Sequence, residues 1–243
     1  MIMNPSAVKR VVMDGKSLSL EGFVAVARFG ASVELAESAL RAMERSRSLA
    51  EKIVGEKRAA YGITTGFGDF QKVAVPEEMS NQLSTNLILS HCTGTGGPYA
   101  AEVVRGMMLL RANALCGGVS GVRPVLVQML VEMLNRGVTP VVPQKGSLGS
   151  SGDLAPLAHM TLPLLGRGRA LYRGVEMSGA DGEGGYSHVE HAGLQGGPGH
   201  DERHLRHDVG RGPGPLRHDL RGPVGGRHRL PVLRGADRPE GRL

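Results

Sequence analysis

The stretch GSLGSSGDLAPLAH, residues 146–159, sets the frame for the whole chain. Six of its first seven residues are Gly or Ser, so side chains give the backbone little steric direction there. Asp153 then stands where an acidic residue favours a helix N-terminus, and Pro156 fits a first turn. The residues alone leave two readings open. One is a flexible loop before a capped helix. The other is a nest of free backbone N–H groups around an anion. The Walker spacing GxxxxGK[ST] is absent, and the nucleophile elbow GxSxG does not fit.

Outward from this stretch the patterning is mainly helical. Upstream, TPVVPQ (139–144) is extended, and a helix is expected over 124–135, with Pro124 in its first turn and Asn135 and Gly137 at its end. A further helix is expected over 99–115, where Val103, Met107, Leu110 and Ala114 form an apolar stripe and Gly117-Gly118 ends it. GTGGP (94–98) breaks the chain, and 77–92 is helical. YGITTGFGDF (61–70), with three glycines in ten residues, is a loop. Near the start, 9–13 is a short strand, 20–28 a helix and 32–57 a longer helix with Val33, Leu35, Leu40, Met43, Leu49 and Ile53 at roughly helical spacing. Downstream, a helix runs from 153 to about 165, and ALYRGVEM (170–177) is a short hairpin.

Composition bounds the rest. Lys and Arg number 29 against 23 Asp and Glu, a formal charge of +6 that does not mark a nucleic-acid binder. Two cysteines, Cys92 and Cys116, exclude a disulfide scaffold and an all-cysteine zinc site and point to a reducing compartment. They are expected to be small core residues. No apolar run reaches the ~18–20 residues of a membrane span, and MIMNPSAVKRVVMDG lacks the apolar region of a signal peptide. A cytoplasmic protein without membrane or nucleic-acid partner is expected. The averages hide a break near Asp181. Residues 182–243 hold 15 Gly and 6 Pro, 7 of the 9 His, 10 Arg and no Lys, Ile, Phe, Met or Cys. Such a segment buries too little apolar surface to offset its ordering entropy, so disorder is expected there and the core must lie within 1–181.

Three motifs in order give residues 5–181 a specific resemblance. The segment 146–157 resembles the signature of the aromatic amino acid lyases, Gly-Ser-hydrophobic-Gly-Ala-Ser-Gly-Asp-Leu-Ala-Pro-Leu, with Ser150 in place of the usual Ala. YGITTGFG (61–68) resembles the family's Tyr-Gly-hydrophobic-x-Thr-Gly-Phe-Gly. NLILSHCTGTG (86–96) resembles its Asn-Leu-x-x-Ser-His-x-x-Gly-x-Gly. The family comprises the histidine, phenylalanine and tyrosine ammonia-lyases, and the Ser90-His91 pair is similar to that of the histidine-selective members. The resemblance implies the N-terminal portion of a mainly α ammonia-lyase fold with short strand pieces.

It also implies a chemistry. The backbone nitrogen of Gly152 attacks the carbonyl carbon of Ser150 and closes a five-membered ring; Gly suits that position because it reaches unusual φ/ψ. Two waters leave, the second from the Ser151 side chain, giving a 4-methylidene-imidazol-5-one with no external cofactor and no metal. Ser150 contributes only its carbonyl, so Ser is chemically tolerable there. In the family the substrate amine adds to the methylene, a tyrosine removes the β-proton, and ammonia leaves an α,β-unsaturated acid. Tyr61 stands at that tyrosine's place. Its phenol, with an unperturbed pKa ~10, needs a cationic or hydrogen-bonding setting to act as a base. His91 is placed to hydrogen-bond a substrate imidazole, which makes L-histidine, converted to urocanate, the expected substrate. His159 has a structural role only. The aminomutase branch, which returns the amine at the β-carbon, and a non-catalytic anion-binding module are the rival readings.

Family members continue for several hundred residues as a helical bundle and assemble as tetramers. The tail here departs from that pattern and resembles a GC-rich gene read out of frame. GGPGHDERHLRHD (196–208) back-translates so that reading one base later gives Ala-Gly-Leu-Ala-Met-Thr-Asn-Gly-Thr-Ser-Ala-Met. That resembles the family's next block, Gly-Leu-Ala-x-x-Asn-Gly-Thr. A frameshift near residue 181 is therefore expected. It divides the chain into an ammonia-lyase region, 1–181, and an aberrant tail, 182–243, and leaves the chain inactive by itself. His200, His204 and His207 have helical metal-site spacing, but the surrounding Gly and Pro argue against a helix.

Overall fold

The computed structural model describes residues 4–60, 63–65, 77–148 and 152–178, with backbone alone for 77–83. The tail, its histidines and most of the 61–70 loop lie outside the described residues. Among the described residues the architecture is mainly α: six α-helices, seven short strands and two 3-10 turns.

Local punctuation sets several helix ends. In α1 (Leu20–Phe29), Ser19 Oγ accepts the Gly22 N–H at 3.1 Å, and Gly30 leaves the helix at φ 68°. Pro124 starts α5 (Pro124–Arg136), and Gly137 ends it at φ 72°. The other long helices are α2 (Glu37–Gly55), α3 (Glu77–His91) and α4 (Ala101–Cys116). The short α6 (Leu154–Thr161) passes into a 3-10 turn, Leu162–Leu165, so the single helix expected from 153 to 165 changes pitch at Pro163.

Two sequence expectations are corrected. The helix over 32–57 begins only at Glu37, because Ser32–Leu35 forms strand β2, parallel to β1 (Arg10–Met13) with Arg10 opposite Ser32 and Met13 opposite Leu35. Both strands send alternate residues inward, Val11 and Met13 from one and Val33 from the other. The second correction concerns α4. Its stripe Val103, Met107, Leu110, Ala114 is not the buried face; Val103 and Leu110 are 41% and 53% exposed. The helix buries Val104, Met108, Leu109, Ala112 and Leu115 instead, against α1 on one side and α5 on the other.

One apolar cluster joins β1, β2 and α1, α2, α4, α5 and reaches Met160 and Leu164 beyond the signature. Met13, Met43, Met108 and Met133 are fully enclosed within it. Thioether side chains fill irregular gaps between helices of unequal length. Polar groups fasten its margin. Arg105 is pushed below the usual guanidinium range by burial and donates to Leu134 O at 3.0 Å and Val26 O at 2.8 Å, joining α1 to α5. Asn135 answers both backbone groups of Val33: its Oδ1 accepts the N–H at 2.8 Å and its Nδ2 donates to the carbonyl at 2.9 Å.

The remaining strands position the signature. β3 (Thr95–Pro98) pairs antiparallel with β5 (Pro143–Lys145), although GTGGP is expected to break the chain. The pairing is held by Tyr99 N–H to Val142 O at 2.8 Å and Gln144 Nε2 to Pro98 O at 2.8 Å. β4 (Val138–Pro140), just before β5, pairs with β6 (Arg169–Tyr172), which pairs with β7 (Val175–Ser178), in an antiparallel sheet whose strands lie on both sides of α6 in sequence. The expected 170–177 hairpin is β6–β7, turned by Arg173 and Gly174 at φ 50° and 83°. No described helix is long and apolar enough to cross a membrane.

Candidate active site

Two of the three motifs meet through β3–β5. The Ser90-His91 block ends α3, β3 follows it, and β5 leads into the signature; α3 then packs on α6. This brings His91 and the signature segment to one end of the fold although more than fifty residues separate them.

His91 is half-buried at the last turn of α3. Its Nδ1 lies 2.7 Å from Leu87 O and 3.1 Å from Ser90 Oγ. A carbonyl only accepts, so Nδ1 carries the proton, and the Ser90 hydroxyl in turn donates to Leu87 O at 2.8 Å. The other ring nitrogen, Nε2, is thereby left as the position from which the uncharged tautomer accepts a hydrogen bond. The serine of the pair is thus the group that braces the histidine.

Gly152 adopts φ 71°, in the left-handed region that favours glycine. Among the described residues a Cβ there would meet only Ser147 Oγ, at 3.7 Å, and it is the backbone conformation that calls for glycine. Ser150, Ser151 and Tyr61, the other residues of the expected chemistry, lie outside the described residues. The turn beside Tyr61 is firmly held: Ala60 N–H donates to Thr64 Oγ1 at 2.8 Å, and Ala60 O accepts from Ile63 and Thr64 N–H at 3.1 and 3.0 Å. Asp153 occupies the N-cap of α6 as expected, but its side chain makes no cap hydrogen bond, since its backbone sits at φ −121°, ψ 0° rather than in the extended region that aims a cap oxygen at the first turn.

Cys116 is the core residue expected, whereas Cys92 is half-buried and lies outside the core cluster. Burial, with Asp14 adding a like-charge contribution, raises Cys116 to about 11, and burial alone raises Cys92. Arg111 is exposed on α4, while Asn113 keeps its Oδ1 buried without a hydrogen-bond partner among the described residues; neither belongs to the expected site.

Sequence reasoning missed one convergence. Gly94 N–H donates to His159 Nε2 at 3.0 Å, and Gly146, at φ 136°, lies so close that a Cβ on it would stand 2.8 Å from Gly94 Cα. Gly94 reads as a chain breaker in sequence, and His159 as a helix residue; only the pairing of β3 with β5 shows that they meet.

The comparisons agree with this architecture. The family model described as aromatic amino acid lyase matches residues 18–184. A histidine ammonia-lyase of Alkaliphilus metalliredigens is 50% identical over 174 residues, 72% of this chain and 34% of that protein. The crystal structure of histidine ammonia-lyase from Trypanosoma cruzi superposes with a TM-score of 0.66 at 33% identity, over 76% of this chain and 34% of that one. Phenylalanine aminomutase from Pantoea agglomerans gives 0.67 at 35% identity, over 76% and 34%. The chain spans about a third of the length of the curated relatives it matches.

Proposed function

Because this chain belongs to the aromatic amino acid lyase family, we propose that it carries the electrophile-forming third of an ammonia-lyase that converts L-histidine to urocanate. The methylidene-imidazolone formed from Ser150, Ser151 and Gly152 supplies an electrophilic alkene that activates the substrate amine for departure. The chain's own residues supply the rest. Gly152 offers a backbone already in the left-handed region. Tyr61 takes the β-proton on its phenolate oxygen. His91 receives the substrate side chain, and this is where the main support lies: with Nδ1–H held by Leu87 O, its Nε2 accepts a hydrogen bond from a substrate ring N–H. Imidazole provides that donor and a phenyl ring does not.

The test is selectivity. In a full-length, frame-restored protein, His91→Leu is expected to lower kcat/KM for histidine about 10²-fold while that for phenylalanine stays level or rises. Unchanged histidine preference removes His91 from the site. The likeness to an aminomutase keeps a second reading in play, and product analysis separates the two: urocanate means lyase, a β-amino acid means mutase.

Turnover requires the two-thirds of the family length beyond this region, in a cytoplasmic homotetramer, so the 243-residue chain alone is inactive. Residues 182–243 are an out-of-frame translation. The family match, which stops at residue 184, supports this. Resequencing the locus across codons 175–200 is expected to reveal a one-base slip, and an unbroken frame encoding this tail refutes it.

A further inference from the structure

We propose that His159 is a positioning residue: by accepting the Gly94 N–H it fixes the His91 end of α3 against the signature segment. The arrangement rests on three pieces of chain meeting without slack. A Cβ on Gly94 would stand 2.8 Å from His159 Nε2 and 3.2 Å from Pro143 Cβ. A Cβ on Gly146 would stand 2.8 Å from Gly94 Cα and 3.6 Å from Ala155 Cβ. Two glycines from different motifs are thus pressed together under the imidazole, and the hydrogen bond is the directional element of the contact.

The bond fixes the state of the ring. A backbone N–H only donates, so Nε2 must carry a lone pair and His159 is neutral with its proton on Nδ1. Burial favours this by holding the imidazole below its ordinary value. The link from Gly94 to His91 is short and taut. Only Cys92 and Thr93 intervene; Cys92 N–H donates to Leu89 O at 3.3 Å and Thr93 N–H to His91 O at 2.8 Å. A shift at Gly94 therefore reaches the His91 backbone directly. The functional consequence rests on the reading of His91 as the substrate contact: His159 sets where the Nε2 acceptor of His91 stands relative to the signature.

The experiment uses the 243-residue chain, with NMR as the readout. Long-range 1H–15N spectra report both ring tautomers, and amide exchange reports Gly94. His159→Gln keeps an acceptor near the position of Nε2, and His159→Leu removes it while keeping apolar bulk. In His159→Leu the Gly94 amide is expected to exchange about tenfold faster, with a shift in the His91 ring signals; in His159→Gln exchange stays within about threefold of the parent. A parent His159 protonated on Nε2, or equal behaviour of the two variants, overturns the proposal. The tautomer of the parent chain decides it even if His159→Leu fails to fold. Titration with L-histidine and L-phenylalanine is a separate arm. That arm is run on the frame-restored protein: absence of any effect of His91→Leu on histidine binding there counts against the ammonia-lyase reading, while Gly94 exchange in the 243-residue chain still decides the role of His159.

Discussion

Ser151→Ala in the frame-restored protein is expected to lower histidine turnover by at least ~10³-fold, with at least one of the two waters of the parent's mass deficit restored. In the proposed chemistry, ring closure between Gly152 N and the Ser150 carbonyl removes one water, and loss of the Ser151 hydroxyl removes the second, so the parent is expected to be two waters (~36 Da) lighter than its gene product. Alanine at 151 has no hydroxyl to lose and cannot give the alkene. Ser150→Ala makes the contrast, because that position lends only its carbonyl and alanine is the usual family residue there. It is expected to keep the full mass deficit and the near-ultraviolet absorbance of the ring. Intact-mass measurement of the three proteins checks the assignment. A parent that turns over histidine without any mass deficit would refute the electrophile.

Tyr61→Phe is expected to lower kcat by ~10²–10⁴-fold, the range of a lost general base, without lowering the melting temperature. Phenylalanine keeps the ring and deletes only the oxygen proposed to take the β-proton. Among the described residues the neighbouring contacts run between Ala60, Ile63 and Thr64, and phenylalanine at 61 leaves those groups unchanged. Kinetics beside a thermal melt check this. A variant with parental kcat would return Tyr61 to a packing role. A variant with both kcat and melting temperature reduced would mean that the hydroxyl serves the structure.

Local signals and long-range ones were not equally legible in the sequence. The ends of α1 and α5 follow from Ser19, Gly30, Pro124 and Gly137, whose effects reach only a few residues. Strand β2 was hidden because Ser32–Leu35 carries apolar residues that also suit the helix after it; only its pairing with β1 selects the extended form. The face of α4 was hidden for a different reason. Its apolar residues run almost all round, so 103, 107, 110 and 114 form as good a stripe as the one that is buried, and α1 and α5 choose between them. At the site, the motifs single out His91, Gly152 and Asp153 as candidates. Their mutual placement came from β3–β5, a pairing of Gly- and Pro-rich segments that no strand pattern announces.

The carboxamide of Asn135 has a consequence beyond stability. The β1–β2 pair is only two strands wide, and β2 would otherwise present unpaired groups at Val33 along its outer margin. By supplying a donor and an acceptor at the spacing of a backbone, one side chain imitates a third strand. It closes the place where a neighbouring molecule's chain would add on and begin aggregation.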